Sequence, residues 1–122
     1  MAKFSTKSME RLKELNTDLQ AILLEAIKIT DFTILCGYRG EEEQEKAFKE
    51  GKSKARFGQS KHNFKPSLAV DIAPYPIDWQ DLKRFAFMAG VVFAIAEQKN
   101  IKIDWGGNWT SFKDYPHFEL KQ

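Results

Sequence analysis

The stretch SKHNFKPSLAVDIAPYP, residues 60–76, raises the main question about this chain. Its centre, Leu68 to Ala73, is a short run of mostly apolar residues, a pattern typical of a buried strand. Asp71 lies inside that run, and an ionised carboxylate in a core is costly unless a partner neutralises it. His62, one of only two histidines, precedes Asp71 by nine residues. We therefore predict a strand whose carboxylate has a nearby partner.

Helix and strand patterns surround this segment on both sides. Apolar residues at helical spacing predict an early helix that begins with a Thr17–Gln20 capping box. Downstream, Asp78 is expected to cap a long helix with Leu82 facing inward. The predicted elements are helices over 17–29, 41–50 and from Asp78 to about Asn100, and strands over 32–36, 68–73, 101–105 and 117–120.

Length and composition favour one globular domain. The 122 residues are 43% hydrophobic and 30% charged, which suits a single core spanning residues 1–122. Helices that alternate irregularly with short strands favour an α+β fold with a small antiparallel sheet flanked by helices. No second domain is expected.

Charge and cysteine content exclude several classes of protein. The net charge of +2 argues against a dedicated nucleic-acid binder. No segment has the length of a membrane span or the pattern of a signal peptide, so we expect synthesis in the cytoplasm and no membrane partner. The single cysteine, Cys36, excludes an intramolecular disulfide and a cysteine-rich zinc site, and we expect it to be a small buried hydrophobe.

The two histidines and two aspartates form the candidate site. If the strands that hold Asp71 and His117 are neighbours, His62, Asp71 and His117 converge, and two histidines with one carboxylate are a ligand set for catalytic zinc. Asp114 precedes His117 by three residues and is the candidate proton acceptor. Spacing alone leaves open a structural histidine–aspartate pair. The run Glu41 to Glu45 is interpreted as a solvated helix face.

Three motifs together resemble a known family. SKHNFKPSLAVDIAPYP, WGGNW and DYPHFEL resemble the zinc peptidases of bacterial cell walls related to VanY and the D-alanyl-D-alanine carboxypeptidases, and most closely the L-alanyl-D-glutamate peptidases that phages use as endolysins. The resemblance implies a hedgehog or D-Ala-D-Ala-peptidase type of fold with one Zn2+ per chain on the sheet. It also implies zinc ligands His62, Asp71 and His117, with Asp114 as the catalytic base.

The segment DFTILCGYRGEEEQ resembles a further motif of the family and gives roles to residues that composition leaves neutral. Arg39 is expected to clamp a substrate carboxylate or the oxyanion, with an ion pair to the Glu41 to Glu45 run as the alternative. Gln44 is expected to orient Arg39 or the substrate, and Ser60 to bond the substrate backbone; the alternatives are a helix-surface and a turn residue.

One departure from the family pattern concerns the loop before the strand. Many relatives place the aspartate seven residues after the histidine, whereas nine separate His62 from Asp71 here. Because two extra residues in a loop leave the strand phase unchanged, the site is expected to survive. Trp105 and Trp109 are expected to pack the sheet and to form a wall of the cleft.

The function that the resemblance implies is hydrolysis of the L-alanyl-D-glutamate bond in peptidoglycan stem peptides during phage-type lysis. The expected protein is a monomer without a separate cell-wall-binding domain, and a holin would give it access to the wall. Two alternatives stay open. One is a D-alanyl-D-alanine carboxypeptidase, and the other is a non-catalytic wall-binding module stabilised by a structural zinc ion.

Overall fold

Four helices and four strands make up the part of the chain that the computed structural model describes, residues 2–121. In chain order these are α1 (Thr6–Leu12), α2 (Thr17–Ala26), β1 (Phe32–Cys36), α3 (Glu41–Lys49), β2 (Ala69–Pro74), α4 (Leu82–Gln98), β3 (Ile103–Trp105) and β4 (His117–Leu120). Short 3-10 turns occupy Lys61–Asn63 and Gly106–Asn108. The α+β prediction is confirmed.

The strands form one antiparallel sheet in the order β1-β2-β4-β3. In the register of β2 and β4, Asp71 lies directly opposite His117, and Val70 lies opposite Phe118. The condition on which the candidate site depends, that the strands of Asp71 and His117 are neighbours, is therefore met. Because directly opposite residues point to the same face of a sheet, Asp71 and His117 share one face, and Val70 and Phe118 share the other.

The face that bears Val70 and Phe118 is the core. Both side chains are buried, and α4 packs against β2 and β3 while α2 packs against α4. Each large side chain buried in this way contributes about 1.5–3 kcal/mol relative to an exposed position. Helix α4, backed by α2, therefore covers this face of the sheet and leaves Asp71 and His117 on the opposite face.

Two helix starts differ from the sequence prediction. The N-cap of α2 is Asn16, whose side chain accepts from the backbone N–H of Asp18, so the Thr17–Gln20 capping box is wrong. The N-cap of α4 is Asp81 rather than Asp78, because Asp78 instead accepts from the N–H of Gln80 and closes a turn ahead of the helix.

The two longer helices also end earlier in the chain than the sequence predicts. Helix α2 ends at Ala26 rather than residue 29, and α4 ends at Gln98. Leu82 stands at the first position of α4 and is 44% exposed, so its predicted inward orientation is wrong. Within residues 2–121, none of the helices has both the length and the hydropathy needed to span a membrane.

An irregularity in β1 places its last residue next to the site. The register with β2 shifts between Ile34 and Cys36, and this shift sets Cys36 opposite Asp71. Cys36 is only half-buried, and its Sγ lies 3.9 Å from Nδ1 of His62. The expectation that Cys36 is a buried core residue is therefore wrong.

Candidate active site

Asp71 is the centre of the candidate site. Its Oδ1 lies 3.2 Å from Nε2 of His62 and 3.2 Å from Nδ1 of His117. The fold thus brings together the three residues that the sequence predicts as metal ligands. Two ligands of a tetrahedral zinc ion with bonds of about 2.0–2.1 Å are roughly 3.4 Å apart, so both spacings suit donors that share one ion.

The hydrogen bonds of the two imidazoles fix which ring nitrogens face Asp71. Nδ1 of His62 donates to the carbonyl oxygen of Gly37 at 2.8 Å, and Nε2 of His117 donates to Glu119 at 2.7 Å. The other nitrogen of each ring therefore presents a lone pair to the Asp71 carboxylate, unless a proton occupies it. Three electron-pair donors converge, and only a positive species, a proton or a metal ion, can stabilise that arrangement. Two imidazoles and a carboxylate are a donor set that fits zinc.

The pKa values follow from this arrangement in the absence of a metal. Burial lowers the pKa of His62, but the adjacent Asp71 carboxylate outweighs this effect and raises the pKa to about 10. Burial likewise lowers the pKa of His117, and hydrogen bonds to Asp71 and Glu119 reverse this and raise it. Burial raises the pKa of Asp71, yet the charge of His62 and the bond to His117 hold it well below its usual range.

Asp114 stands beside this centre on the loop before β4. Its Oδ2 lies 4.0 Å from Nδ1 of His117. The loop is fixed because the N–H of Asp114 donates to the carbonyl of Gly106 at 3.0 Å, and the Asp114 carbonyl accepts from the N–H of His117 at 3.1 Å. Burial, and then the negative charge of Asp71, raise the pKa of Asp114. A carboxylate with a raised pKa is suited to accept a proton near neutral pH.

Two overlapping groups of possible metal ligands share Asp71. One combines Asp71 with Asp114 and His117, the other combines it with Cys36 and His62, and within each group the donor atoms lie within 4.8 Å of one another. Cys36 approaches Nδ1 of His62, the nitrogen that donates to a backbone carbonyl, so it lies away from the nitrogen that faces Asp71. Asp114 is therefore the second carboxylate at the centre, near enough to His117 to serve as a ligand or as a proton acceptor.

Arg39 connects the centre to α3. One of its terminal nitrogens, Nη2, lies 3.3 Å from Oδ2 of Asp71, and Nη1 donates to Oε1 of Gln44 at 3.0 Å. Arg39 thus pairs with Asp71, and the alternative of an ion pair with the Glu41 to Glu45 run is wrong. Its side chain is 17% exposed and lines the cleft.

Gln44 is fully buried although it belongs to a highly charged helix. Besides accepting from Arg39, its amide nitrogen donates to Oγ of Ser53 at 3.0 Å and to the carbonyl of Ala55 at 2.7 Å. Asn63 also donates to the Gln44 oxygen at 3.2 Å. The alternative of a helix-surface residue is wrong for Gln44, and its contacts match the expected role of orienting Arg39.

The remaining predicted residues line an open cleft of about 630 Å3 above the centre. Ser60 lines it and accepts from the N–H of His62 at 3.2 Å, which shapes the turn that presents this histidine. Trp109 also lines the cleft, with its ring 5.1 Å from that of His117. Trp105 instead stacks on Phe118. Trp109 therefore forms part of the cleft wall, and Trp105 packs against the sheet.

The longer loop between His62 and Asp71 is bonded to the connection between α1 and α2. The backbone N–H of Ser67 donates to the carbonyl of Glu14, and the Ser67 carbonyl accepts from the N–H of Asn16, both at 2.9 Å. Oγ of Ser67 lies 2.7 Å from the carbonyl oxygen of Ala69 and 3.2 Å from that of Gly37, the atom that His62 contacts. The nine-residue separation is accommodated in this loop, and Asp71 still meets His62.

Sequence reasoning missed Glu119 and Lys61. Glu119 accepts from His117, and Lys61 lies 3.2 Å from the Glu119 carboxylate. The signal for Glu119 was present: a residue two positions after His117 in a strand points to the same face of the sheet. Nothing in the sequence placed Lys61 beside β4, because the contact joins residues far apart in the chain.

An open cleft that ends in two histidines and two aspartates is the arrangement of a hydrolase centre able to take a metal ion. Comparison with known proteins makes the class specific. The family model described as Phage L-alanyl-D-glutamate peptidase matches residues 1–121. The chain belongs to that family, and the resemblance found in the sequence is confirmed.

Named relatives agree with the family. The chain is 34% identical over 109 residues to the peptidoglycan L-alanyl-D-glutamate endopeptidase CwlK of Bacillus subtilis (strain 168), covering 78% of this chain and 64% of CwlK. It is 30% identical over 125 residues to the L-alanyl-D-glutamate peptidase of Escherichia phage T5, covering 98% of this chain and 90% of the phage T5 peptidase. The crystal structure of the Serratia marcescens L-Ala D-Glu endopeptidase ChiX superposes with a TM-score of 0.84 at 27% identity, covering 98% of this chain and 90% of ChiX.

Proposed function

We propose that this chain is a zinc peptidase that hydrolyses the L-alanyl-D-glutamate bond of peptidoglycan stem peptides. Membership of the phage L-alanyl-D-glutamate peptidase family supports the reaction and the substrate. The observation that carries the proposal is that one ring nitrogen of His62 and one of His117 each lie 3.2 Å from Asp71. The other nitrogen of each ring already donates a hydrogen bond, to Gly37 and to Glu119. A purely structural histidine–aspartate pair would need only one imidazole.

The residues that would hold zinc are His62, Asp71 and His117. Glu119 and the Gly37 carbonyl orient the two imidazoles, which is the supporting arrangement that ligating histidines commonly have. A zinc ion at this position supplies Lewis-acid polarisation of the scissile carbonyl and activation of a water molecule.

Asp114 performs the proton transfers in this proposal. Water adds to the carbonyl carbon of L-alanine while Asp114 accepts its proton, and the same carboxyl group then donates that proton to the leaving nitrogen as the C–N bond breaks. The raised pKa of Asp114 favours both steps, since the group has to bind the proton and then release it. Its 29% exposure leaves the carboxylate accessible to substrate in the cleft.

Arg39 stabilises negative charge in the same proposal. The guanidinium is held by Gln44 on one side and Asp71 on the other, so it is already oriented before substrate binds. Donors fixed in this way stabilise an oxyanion without rearrangement during the reaction. Ser60 contributes a hydroxyl at the cleft wall that can bond the substrate backbone.

The deciding experiment identifies the bond that is cut. Purified protein, metal-free and zinc-loaded, is incubated with intact peptidoglycan and with a defined stem peptide, and the new termini are read by mass spectrometry. We expect a new N-terminal D-glutamate that disappears with a chelator and returns with zinc. Release of free D-alanine instead would establish a carboxypeptidase, and tightly held zinc without any cleavage would establish a structural metal module.

The setting of the reaction belongs to the same proposal. We expect a monomer that reaches the wall during phage-type host lysis after a holin opens the inner membrane. Co-expression with a holin should lyse a bacterial culture, whereas expression of either protein alone should not clear it within the same time. Sedimentation of the purified protein tests the monomer.

A further inference from the structure

Four cationic side chains line the cleft, and three of them are already paired. Arg39 pairs with Asp71, Lys61 with Glu119, and Lys52 with Glu50 at 3.3 Å. The Lys54 ammonium instead lies over the ring of Phe112, 5.5 Å from its centroid. Within residues 2–121 it is the cleft cation without a carboxylate partner.

Lys54 is exposed, but the backbone on both sides of it is anchored. The buried amide of Gln44 donates to the side chain of Ser53 and to the carbonyl of Ala55. The Ser53 hydroxyl in turn accepts from the N–H of Ala55 at 3.1 Å. The ammonium is therefore presented from a fixed loop and rests on an aromatic ring that also lines the cleft.

The position of Phe112 relates the Lys54 ammonium to the proposed proton acceptor Asp114. Phe112 precedes Asp114 by two residues on the loop that enters β4. The Lys54–Phe112 contact thus joins the loop over 51–60 to the loop that carries the proposed proton acceptor, across the cleft. A group held at this contact would lie on the cleft wall formed by the loop that carries Asp114.

The proposed substrate carries a negative charge that needs such a partner. Glutamate has two carboxyl groups, and only one of them can continue the peptide, so the other is a free carboxylate on the residue that supplies the leaving nitrogen. Asp71, Asp114 and Glu119 all line the same cleft, and they repel that charge. A cation without a carboxylate partner offsets this repulsion.

We propose that Lys54, supported by Phe112, binds the free carboxylate of the D-glutamate residue and determines specificity for it. The inference rests on the proposed function and adds a substrate-recognition residue to it. Arg39 is already assigned to the oxyanion and shares its charge with Asp71, whereas Lys54 has no carboxylate partner among the described residues.

The test compares two stem peptides that differ only in this carboxylate, one free and one converted to the amide. For Lys54→Met we expect kcat/KM on the free-carboxylate peptide to fall roughly fivefold, as for loss of a partly exposed ion pair. The amidated peptide should be cleaved within about twofold of the wild-type rate, because it has no charge for Lys54 to bind. The unchanged rate also shows that the variant is folded.

Lys65→Met is the matched control. Lys65 also rests on an aromatic ring, that of Tyr38 at 4.8 Å, but it does not line the cleft, so both peptides should be cleaved as by the wild type. Equal losses on the two peptides for Lys54→Met, or no loss on either, would overturn the assignment to Lys54 while the proposed function stands. Failure of the zinc-loaded wild type to cleave either peptide would overturn the proposed function, and the assignment with it.

Discussion

The two carboxylate oxygens of Asp71 contact three side chains, those of Arg39, His62 and His117. Oδ1 faces both imidazoles, and Oδ2 accepts from Arg39. The strand tolerates a carboxylate here because positive charge surrounds it, and removing one member of a buried charged group costs about 3–5 kcal/mol. A metal ion that replaced the protons on the imidazoles would preserve that balance, so the stability of this strand is linked to loading of the centre.

Replacing Asp114 separates the two roles that the geometry allows. For Asp114→Asn we expect turnover to fall at least about 100-fold, because the proton acceptor is lost, while one zinc per chain is retained. Hydrolysis rates and metal content on the same preparation check this. Asp18→Asn, at an exposed carboxylate in the first turn of α2, is the control and should change neither quantity. Loss of zinc together with activity would make Asp114 a ligand.

Glu119 should act on the metal through His117. In Glu119→Gln the carboxylate that fixes the imidazole is replaced by an amide, and we expect zinc affinity to weaken roughly 10- to 100-fold. Competition with a chelator of known affinity measures the change. Glu25→Gln removes a surface ion pair with Lys28 and should leave zinc affinity unaltered. An unchanged affinity in Glu119→Gln would show that the Glu119 contact does not support a metal ligand.

At the scale of elements, the hydrophobic pattern of the sequence predicted those strand limits that depend on contacts between residues close together in the chain. Strands β1 and β4 begin and end where the sequence places them, whereas the pairing of Asp71 with His117 depends on a strand order that the sequence left as a condition. The start of α4 was wrong because two aspartates compete as caps, and side-chain bonds to nearby N–H groups decide between them. The placing of Cys36 was wrong because a register shift leaves no mark on hydrophobic pattern.

The candidate site shows the same division between local and distant contacts. The predicted ligands and Asp114 lie together, whereas the contact of Lys54 with Phe112 joins loops far apart in the chain and had no sequence signal. Arg39 and Gln44 were recognised through the family motif, but their mutual hydrogen bond appears only in the fold.

The turn before the Asp114 loop should be intolerant of any side chain. A Cβ at Gly106 would lie 2.2 Å from the carbonyl oxygen of Asp114, so Gly106→Ala has to displace the loop that presents this carboxylate. We expect a loss of about 1–3 kcal/mol in the free energy of unfolding, together with reduced turnover. Denaturant titration and the peptide assay measure the two effects.

Gly90 provides the matched control for Gly106. It lies on the exposed side of α4, and a Cβ there would meet nothing within 4 Å. Gly90→Ala should therefore stabilise the protein by up to about 1 kcal/mol, because alanine is the better helix former, and leave turnover unchanged. If Gly106→Ala were as stable and active as Gly90→Ala, the close packing of the Asp114 loop would not be needed.

At the scale of the whole molecule, the sheet separates stability from chemistry. Helix α4, backed by α2, packs on the face of Val70 and Phe118, and the opposite face carries Asp71 and His117 beside the loops and α3. Ala69 and Ala73 are buried on the site face, and charged groups gather there around Asp71, so the stability of this face also depends on what occupies the centre. Protons and zinc compete for the same ring nitrogens.

This competition predicts that the stability of the metal-free protein falls as the pH rises, while the stabilisation by zinc increases. In the metal-free form the pKa of His62 is raised to about 10, so its stabilising contribution is complete below the unfolded pKa of about 6.5 and is lost as the pH rises toward 10. Zinc requires the deprotonated ring, so its contribution grows over the same range. Thermal unfolding at pH 6, 7.5 and 9 should show Tm falling for the metal-free protein and the zinc-induced increase in Tm widening. Parallel curves with and without zinc would mean that zinc does not displace a proton from His62.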